Sequence, residues 1–294
     1  NLNIILMKIT NVNNVTEFIE DYKVILCDLW GVIHNGMSVY ENANKFLDHA
    51  HQKNIPVFFI SNAPRPESVV RKGLTNKLHL NEKYYEFIFT SGDTGAKHIN
   101  ELKHGESYFH LGPDKDEDLL DTINIKKHSD YEIADFILCT GLMDDSFEKP
   151  HHYSGMFEEF ISHKKEMVCV NPDEIVYRGE QLISCAGGLA KLYKEMGGKV
   201  KLYGKPHNEI YDYAYQYLME NGLVENKSDI LAIGDSFKTD ILGAELFNID
   251  YLFIQSGIHK NEIKHQSDLS KLFKMYVGKA VSYTHLTLPT TRYV

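Results

Sequence analysis

The sequence predicts an α/β protein: a doubly wound parallel sheet whose chain is interrupted by a second α/β segment. Three observations carry this. Short, continuously apolar runs alternate with amphipathic stretches near both ends of the chain. The long stretch between is richer in His, Lys, Asp and Glu. Polar residues able to do chemistry recur where the apolar runs stop. Unbroken apolar runs, unlike alternating ones, belong to strands buried on both faces, as when helices cover both sides of a parallel sheet.

Residues 22–27 (YKVILC) form the first such run, which ends at Asp28. Residues 41–53 follow as a helix, with Ala43, Phe46, Leu47 and Ala50 on one face. After Pro56, residues 57–60 make a second strand that ends at Ser61. A helix over 66–78 and a third strand over 87–90 complete this half. The rhythm returns with a short strand at 200–203 and a helix at 207–221, stopped by Gly222. Residues 229–233 are a strongly apolar strand running into Gly234-Asp235, followed by a helix at 239–247 and a last strand at 251–254. Residues 8–92 and 200–277 are therefore expected to fold as one core. The middle, 93–199, is long enough to be an inserted α/β domain. Its strands are expected near 108–111, 136–139 and 167–170, and its helices near 94–103, 153–163 and 189–196.

The length of 294 residues suits two domains. Hydrophobic residues make up 43% and charged residues 24%, so a packed core forms and disorder is excluded. With 41 acidic against 31 basic residues, the net charge is −10. That excludes the basic face of a dedicated nucleic-acid binder but leaves room for a local phosphate pocket. Cys27, Cys139, Cys169 and Cys185 form no C-x-x-C pair, so no zinc site is signalled. The first three lie in apolar runs and are expected as reduced core thiols. No apolar run approaches the ~20 residues of a membrane helix, and the start carries no secretory pattern. A cytoplasmic location is expected. Met7 is expected as the true start, and residues 281–294 (VSYTHLTLPTTRYV), which resemble translated adaptor sequence, as a non-native tail.

In open α/β sheets, ligands bind beyond the carboxyl ends of the strands. Asp28, Ser61 and Asp235 end three strands, and Lys205 follows a fourth. Singly, each is an ordinary turn, cap or helix-entry residue. Together they suit phosphoryl transfer. Asp28 is an oxygen nucleophile able to form an acyl phosphate. Two carboxylates beside an anionic phosphate require a hard cation, and Mg²⁺ held by Asp28, Asp235 and one backbone carbonyl meets that need. Ser61 and the amide of Asn62 are candidate donors to phosphoryl oxygens, and Lys205 offers a point charge. Asp240, in the first turn of the next helix, is placed to orient metal-bound water; its plain alternative is an acid at a helix start.

The motifs VILCDLWGVIHNG, VFFISNAPRP, LYGKPHNEIY and ILAIGDSFKTDILGA resemble those of the haloacid dehalogenase superfamily. The segments GKP and NPDEIVYRG…CAGGLAKLY are similar to its class IIA branch of small-molecule phosphatases. The resemblance implies a Rossmann-like core with an α/β cap inserted between the second and third motifs, where 93–199 falls. It implies Asp28 as nucleophile, Ser61 and Lys205 as phosphate binders, Asp235 as metal ligand and Asp240 as supporting acid. It also implies Mg²⁺, a small phosphorylated metabolite as substrate, and pairing of two copies through their caps. In one place the sequence departs from the family. The family's D-x-D reads Asp28-Leu29-Trp30 here, so the second Asp, the general acid/base, is replaced by Trp30. The backbone carbonyl at that position is a metal ligand in the family, and Trp30 keeps it. Loss of the acid costs about 10²–10⁴ in rate, or roughly 3–5 kcal/mol of barrier. His34 is the nearest candidate to supply the proton. In the cap, Tyr177 and Arg178 are candidate leaving-group contacts, with Arg178 suited to a second anion. Gly187-Gly188 is a candidate anion cradle at a helix start.

The leading expectation is thus a phosphatase with an aspartyl-phosphate intermediate. The runner-up, favoured by Trp30, is a phosphate-binding or regulatory protein without turnover. A receiver-like phospho-acceptor is disfavoured by the long cap and the GDSFKTD segment. A dehalogenase, which needs no leaving-group acid, is disfavoured by Asp235 and the cap type.

Overall fold

The computed structural model describes residues 9–12, 15–255, 257–259, 261–277 and 283–286. The strands are β1 (Ile9–Val12), β2 (Val24–Cys27), β3 (Val57–Ser61), β4 (Ile88–Thr90), β5 (Ser107–Leu111), β6 (Lys126–His128) and β7 (Phe136–Cys139). They continue with β8 (Glu166–Cys169), β9 (Ile175–Arg178), β10 (Gln181–Ser184), β11 (Lys199–Leu202), β12 (Ile230–Gly234), β13 (Asp250–Ile254) and β14 (Tyr283–Leu286). The chain divides into two compact units: residues 1–60, 74–88 and 214–294, and residues 61–73 and 89–213.

The first unit is organised on the sheet β1-β14-β13-β12-β2-β3-β4. β2, β3 and β12 are buried along their whole length, as continuous apolar runs covered on both faces must be. The helix Glu41–Gln52 buries Ala43, Phe46, Leu47 and Ala50, the face its spacing predicts. Each such fully buried Leu or Phe contributes about 1.5–3 kcal/mol. β2 and β12 pair in parallel with Cys27 opposite Ile233, and the Asp28 N–H donates to Ile233 O at 2.8 Å. The two strands therefore end together, and the residues that follow them leave the sheet side by side.

The second unit has its own parallel sheet, β11-β8-β7-β5-β6, and the antiparallel hairpin β9–β10. Alternate residues of β7 serve two cores. Ile137 and Cys139 pack with Phe157, Phe160, Leu189 and Tyr193, while Phe136 and Leu138 pack with Ile99, Leu119 and Tyr203. The strand order reverses direction between β5 and β7, with β6 on one side and β7, β8 and β11 on the other. That is a topological switch point.

Several expectations change. The strand expected at 200–203 was assigned to the core. As β11 it pairs with β8 in the second unit's sheet, where its mixed sequence KVKL suits a partly exposed edge. The compact unit holding the middle segment is wider than 93–199. The helix expected at 239–247 opens as a π turn, Phe237–Ile241, before Leu242–Phe247. Residues 283–286, within the expected tail, form β14 between β1 and β13. β6 and the β9–β10 hairpin were not foreseen, because their residues are mostly exposed and not apolar runs. Met7 lies outside the described residues. All four cysteines are free thiols, and among the described residues no helix is long and apolar enough to cross a membrane.

Candidate active site

In the first unit, Asp28, Asp235 and Asp240 place carboxylate oxygens within 4.8 Å of one another, and all three are buried. Asp28 follows β2 and Asp235 follows β12, so the parallel register brings them together. Asp240 arrives on the π turn, where its own N–H and that of Ile241 both donate to Ser236 O. The Ser236 N–H donates in turn to Asp240 Oδ2 at 3.1 Å. A side chain at Gly234 would put its Cβ 2.1 Å from the Asp240 Cβ, so glycine is required there.

Asp235 is held more closely. Its Oδ2 accepts from the Ile258 N–H at 2.6 Å. Hypothetical Cβ atoms on Gly31 and Gly257 would lie 1.9 Å and 1.8 Å from that same oxygen. Gly31 also has φ +83°, a left-handed conformation that costs other residues energy. Tyr40 is a further residue of this neighbourhood: burial and the charge of Asp235 push its phenol pKa up. His259 Nε2 accepts from the Phe237 N–H at 3.3 Å while Nδ1 faces Glu262, which steadies the start of the π turn. Neither residue carries a sequence signal, since both act through folding rather than motif spacing.

Three buried carboxylates this close repel one another unless a cation or protons intervene. The donors are all oxygen, which selects a hard cation such as Mg²⁺ over a thiophilic metal. The residues therefore fit the Mg²⁺ that the family resemblance implies.

The loop after Asp28 is built around Trp30. Its ring meets His34 edge-on at 5.0 Å between centroids and covers Gly36, whose Cβ would lie 2.4 Å from the ring. The Gly31 N–H donates to His34 O, and the Gly36 N–H donates to His34 Nδ1 at 3.0 Å. Burial lowers the His34 pKa to about 4. The ring is thus neutral at neutral pH with its remaining proton on Nε2. Nδ1 thus serves as an acceptor that shapes the loop, while Nε2 keeps the ring's N–H donor.

The second unit holds Ser61, Asn62 and Lys205, each buried. The Asn62 amide spends both of its N–H donors and one lone pair of Oδ1 on the protein. Oδ1 accepts from the Lys205 N–H at 2.7 Å, and Nδ2 donates to Lys205 O at 3.1 Å and Asp173 Oδ1 at 2.9 Å. Asn62 is therefore a clamp on the Lys205 backbone, not the substrate donor expected of it. Gly204, at φ +113°, makes the approach possible: its Cβ would lie 2.6 Å from Asn62 Oδ1. The Lys205–Pro206 peptide is cis. Ser61 Oγ accepts from the Ala63 N–H at 3.2 Å, which leaves its own proton to donate.

Two groups expected to contact ligand in the cap have partners within the protein. The Arg178 fork is taken by Asp145, with Nη1 and Nη2 at 3.0 Å and 2.7 Å from its two oxygens. The Gly187 and Gly188 N–H groups donate to Asp173 O and Cys185 O. Gly187 instead provides room, since its Cβ would sit 2.1 Å from Pro172 O.

Comparison with known proteins bears on the family and the fold. Residues 25–126 match the family model for haloacid dehalogenase-like hydrolases, and residues 202–272 match a HAD-hydrolase-like model. An acid sugar phosphatase of Staphylococcus aureus is 26% identical over 243 residues, covering 81% of this chain and 88% of that protein. A crystal structure of a haloacid dehalogenase-like hydrolase from Brucella suis 1330 superimposes with a TM-score of 0.82 at 31% identity, covering 94% of this chain and 98% of that one. A possible sugar phosphatase from Cytophaga hutchinsonii gives a TM-score of 0.76 at 20% identity, over 98% and 100% of the two chains.

Proposed function

Because the chain belongs to the haloacid dehalogenase-like hydrolase family, we propose that it hydrolyses a small phosphorylated sugar through an aspartyl-phosphate on Asp28. It is a hydrolase of the phosphatase type. The substrate class, the Mg²⁺ requirement, the residue roles and a cytoplasmic location are our reading.

The observation that carries it is the trio of buried carboxylates, Asp28, Asp235 and Asp240. They would hold Mg²⁺, with the Trp30 carbonyl as a further ligand, and the bound cation supplies the positive charge that lets Asp28 meet an anionic ester. Asp28 attacks phosphorus, the P–O bond to the sugar breaks, and the electron pair leaves with the sugar oxygen. Water then cleaves the acyl phosphate and restores Asp28. Ser61 donates to a phosphoryl oxygen, and Lys205 balances the charge that builds on the group. Trp30 brings no proton to the leaving oxygen, so turnover of alkyl phosphates is slow and aryl or acyl phosphates react faster.

The test compares wild type with Asp28→Asn on p-nitrophenyl phosphate with Mg²⁺. We expect slow, EDTA-sensitive hydrolysis that the variant lacks; equal rates in the two proteins would remove Asp28 from the chemistry. Trp30 favours a second reading, a phosphate-binding protein without turnover, and phosphate binding with no hydrolysis of any ester would establish it.

A further inference from the structure

Trp30 is the single tryptophan of the 294 residues, and the turn that carries it keeps its indole out of the core. The N–H groups of Ile33 and His34 both donate to Leu29 O, at 2.9 Å and 3.1 Å, which closes one helical turn after Asp28. Leu29, Val32 and Ile33 are buried, and their spacing of i, i+3 and i+4 makes one face of such a turn. Trp30 and Gly31 therefore lie off that face. Gly31 shows what the outer side meets: a Cβ on it would lie 1.9 Å from Asp235 Oδ2. The residue after Trp30 thus abuts one of the three clustered carboxylates, and Asp28, two residues before Trp30, supplies another. The loop returns to the same place at Tyr40. Its N–H donates to Ile33 O at 2.9 Å, and burial and the charge of Asp235 both raise its phenol pKa.

The indole is fixed but not enclosed. Its benzo edge rests on Gly36, where a Cβ would lie 2.4 Å from Cη2 and 2.6 Å from Cζ3. The His34 ring meets it edge-on, and His34 Nδ1 accepts from the Gly36 N–H, so the three residues hold one another. Trp30 is still only half-buried, while its apolar neighbours in the turn are fully buried. A large apolar ring kept partly in water forgoes hydrophobic free energy that a ligand covering it would recover. A ring already held by its neighbours loses little conformational freedom when it is covered.

We propose that the exposed part of the Trp30 indole is a binding platform for the leaving group, and that it selects ring-shaped phosphate esters, aryl or sugar, over short open-chain ones. This deepens the proposed function and rests on it, because the phosphoryl group must sit at Asp28 for the group esterified to it to reach Trp30. The shared chemistry is a flat apolar face: the π face of an aromatic ring or the C–H face of a sugar. Such selection acts on binding. It is separate from the ease with which the leaving group departs, and it persists in a ligand that has no bond to break.

The experiment uses phenylphosphonate, cyclohexylphosphonate and methylphosphonate, which carry no ester bond, each with Mg²⁺. Calorimetry on wild type should find a ring compound bound roughly 3- to 10-fold more tightly than methylphosphonate, the size of one aromatic contact. The tighter of the two rings tells an aryl leaving group from a saturated one such as a sugar. The same ring compound should change the tryptophan emission, which reports Trp30 alone, and methylphosphonate should leave it nearly as in the free protein. Trp30→Phe should keep most of the ring preference and Trp30→Ala should lose it. Thermal melting checks that the variants are folded, and the emission of wild type carries the test where they are not. Equal affinities for all three compounds in wild type, or a ring preference with no change in emission, overturns the platform. Methylphosphonate that binds as tightly as the rings removes the platform and leaves the phosphate site standing. Failure of all three to bind removes the phosphate site, and the platform with it.

Discussion

Trp30 is where chemistry and packing compete for one side chain. In place of a carboxyl able to protonate the leaving oxygen, the chain puts an indole over Gly36 and against His34. In the proposed mechanism, the absence of an acid at this position decides which esters react. Trp30→Asp is expected to raise kcat on a hexose phosphate by up to about 10²-fold, within the usual range for general acid catalysis. On p-nitrophenyl phosphate, whose leaving group needs little protonation, kcat should hardly change. Steady-state rates on both substrates check this, and a gain of the same size on both would assign the effect to loop packing. The cost of the change appears as a lower melting temperature, because Gly36 loses the ring that covers it.

Loops are cross-braced by single side chains in the second unit. Asn62 joins the turn after β3 to the backbone around Lys205 and to the β8 loop. Asn62→Ala would remove two hydrogen bonds to the Lys205 backbone, at about 0.5–1.5 kcal/mol each. Inorganic phosphate, measured as a competitive inhibitor, should then bind about 10- to 100-fold more weakly; unchanged inhibition would show that the lysine is placed by other means. Arg178 braces the β9–β10 hairpin onto Asp145. Arg178, chiefly through its hydrogen bonds, and then Lys115 hold the Asp145 pKa down at about 2. A folded pKa below the unfolded one gives stability that is present above about pH 4 and lost as pH falls toward 2. Wild type should therefore exceed Arg178→Ala in stability at neutral pH, by less than about 1 kcal/mol for so exposed a pair. Urea unfolding near pH 3 should find most of that difference gone.

For the chain as a whole, the proposed cation site at the carboxylate trio would couple cation binding to folding. The acids come from separate stretches, so the unfolded chain has no comparable site, and Mg²⁺ should stabilise the folded state alone. At a hundredfold excess over its Kd, that is about 2.7 kcal/mol. Differential scanning calorimetry should show the melting temperature rising with Mg²⁺ in wild type and not in Asp235→Asn. An equal rise in both would place the cation elsewhere.

Local pattern was enough to read most elements. The apolar runs of β2, β3 and β12 and the face of the helix Glu41–Gln52 were visible because burial on known faces leaves a period in the chain. Asp28 and Asp235 were visible as strand-end residues, and Asp240 as an acid in the first turn of the following helix. The strand expected at 200–203 was placed in the wrong sheet, since a short edge strand carries no mark of its partner. The partners of Asn62, Arg178 and Gly187 at Lys205, Asp145 and Asp173 were not legible in the sequence. The burial that keeps the His34 ring neutral left no mark in the sequence around it. Residue type limits what a group can do, but hydrogen-bond satisfaction and desolvation depend on neighbours far away in the chain, and folding alone brings those neighbours in.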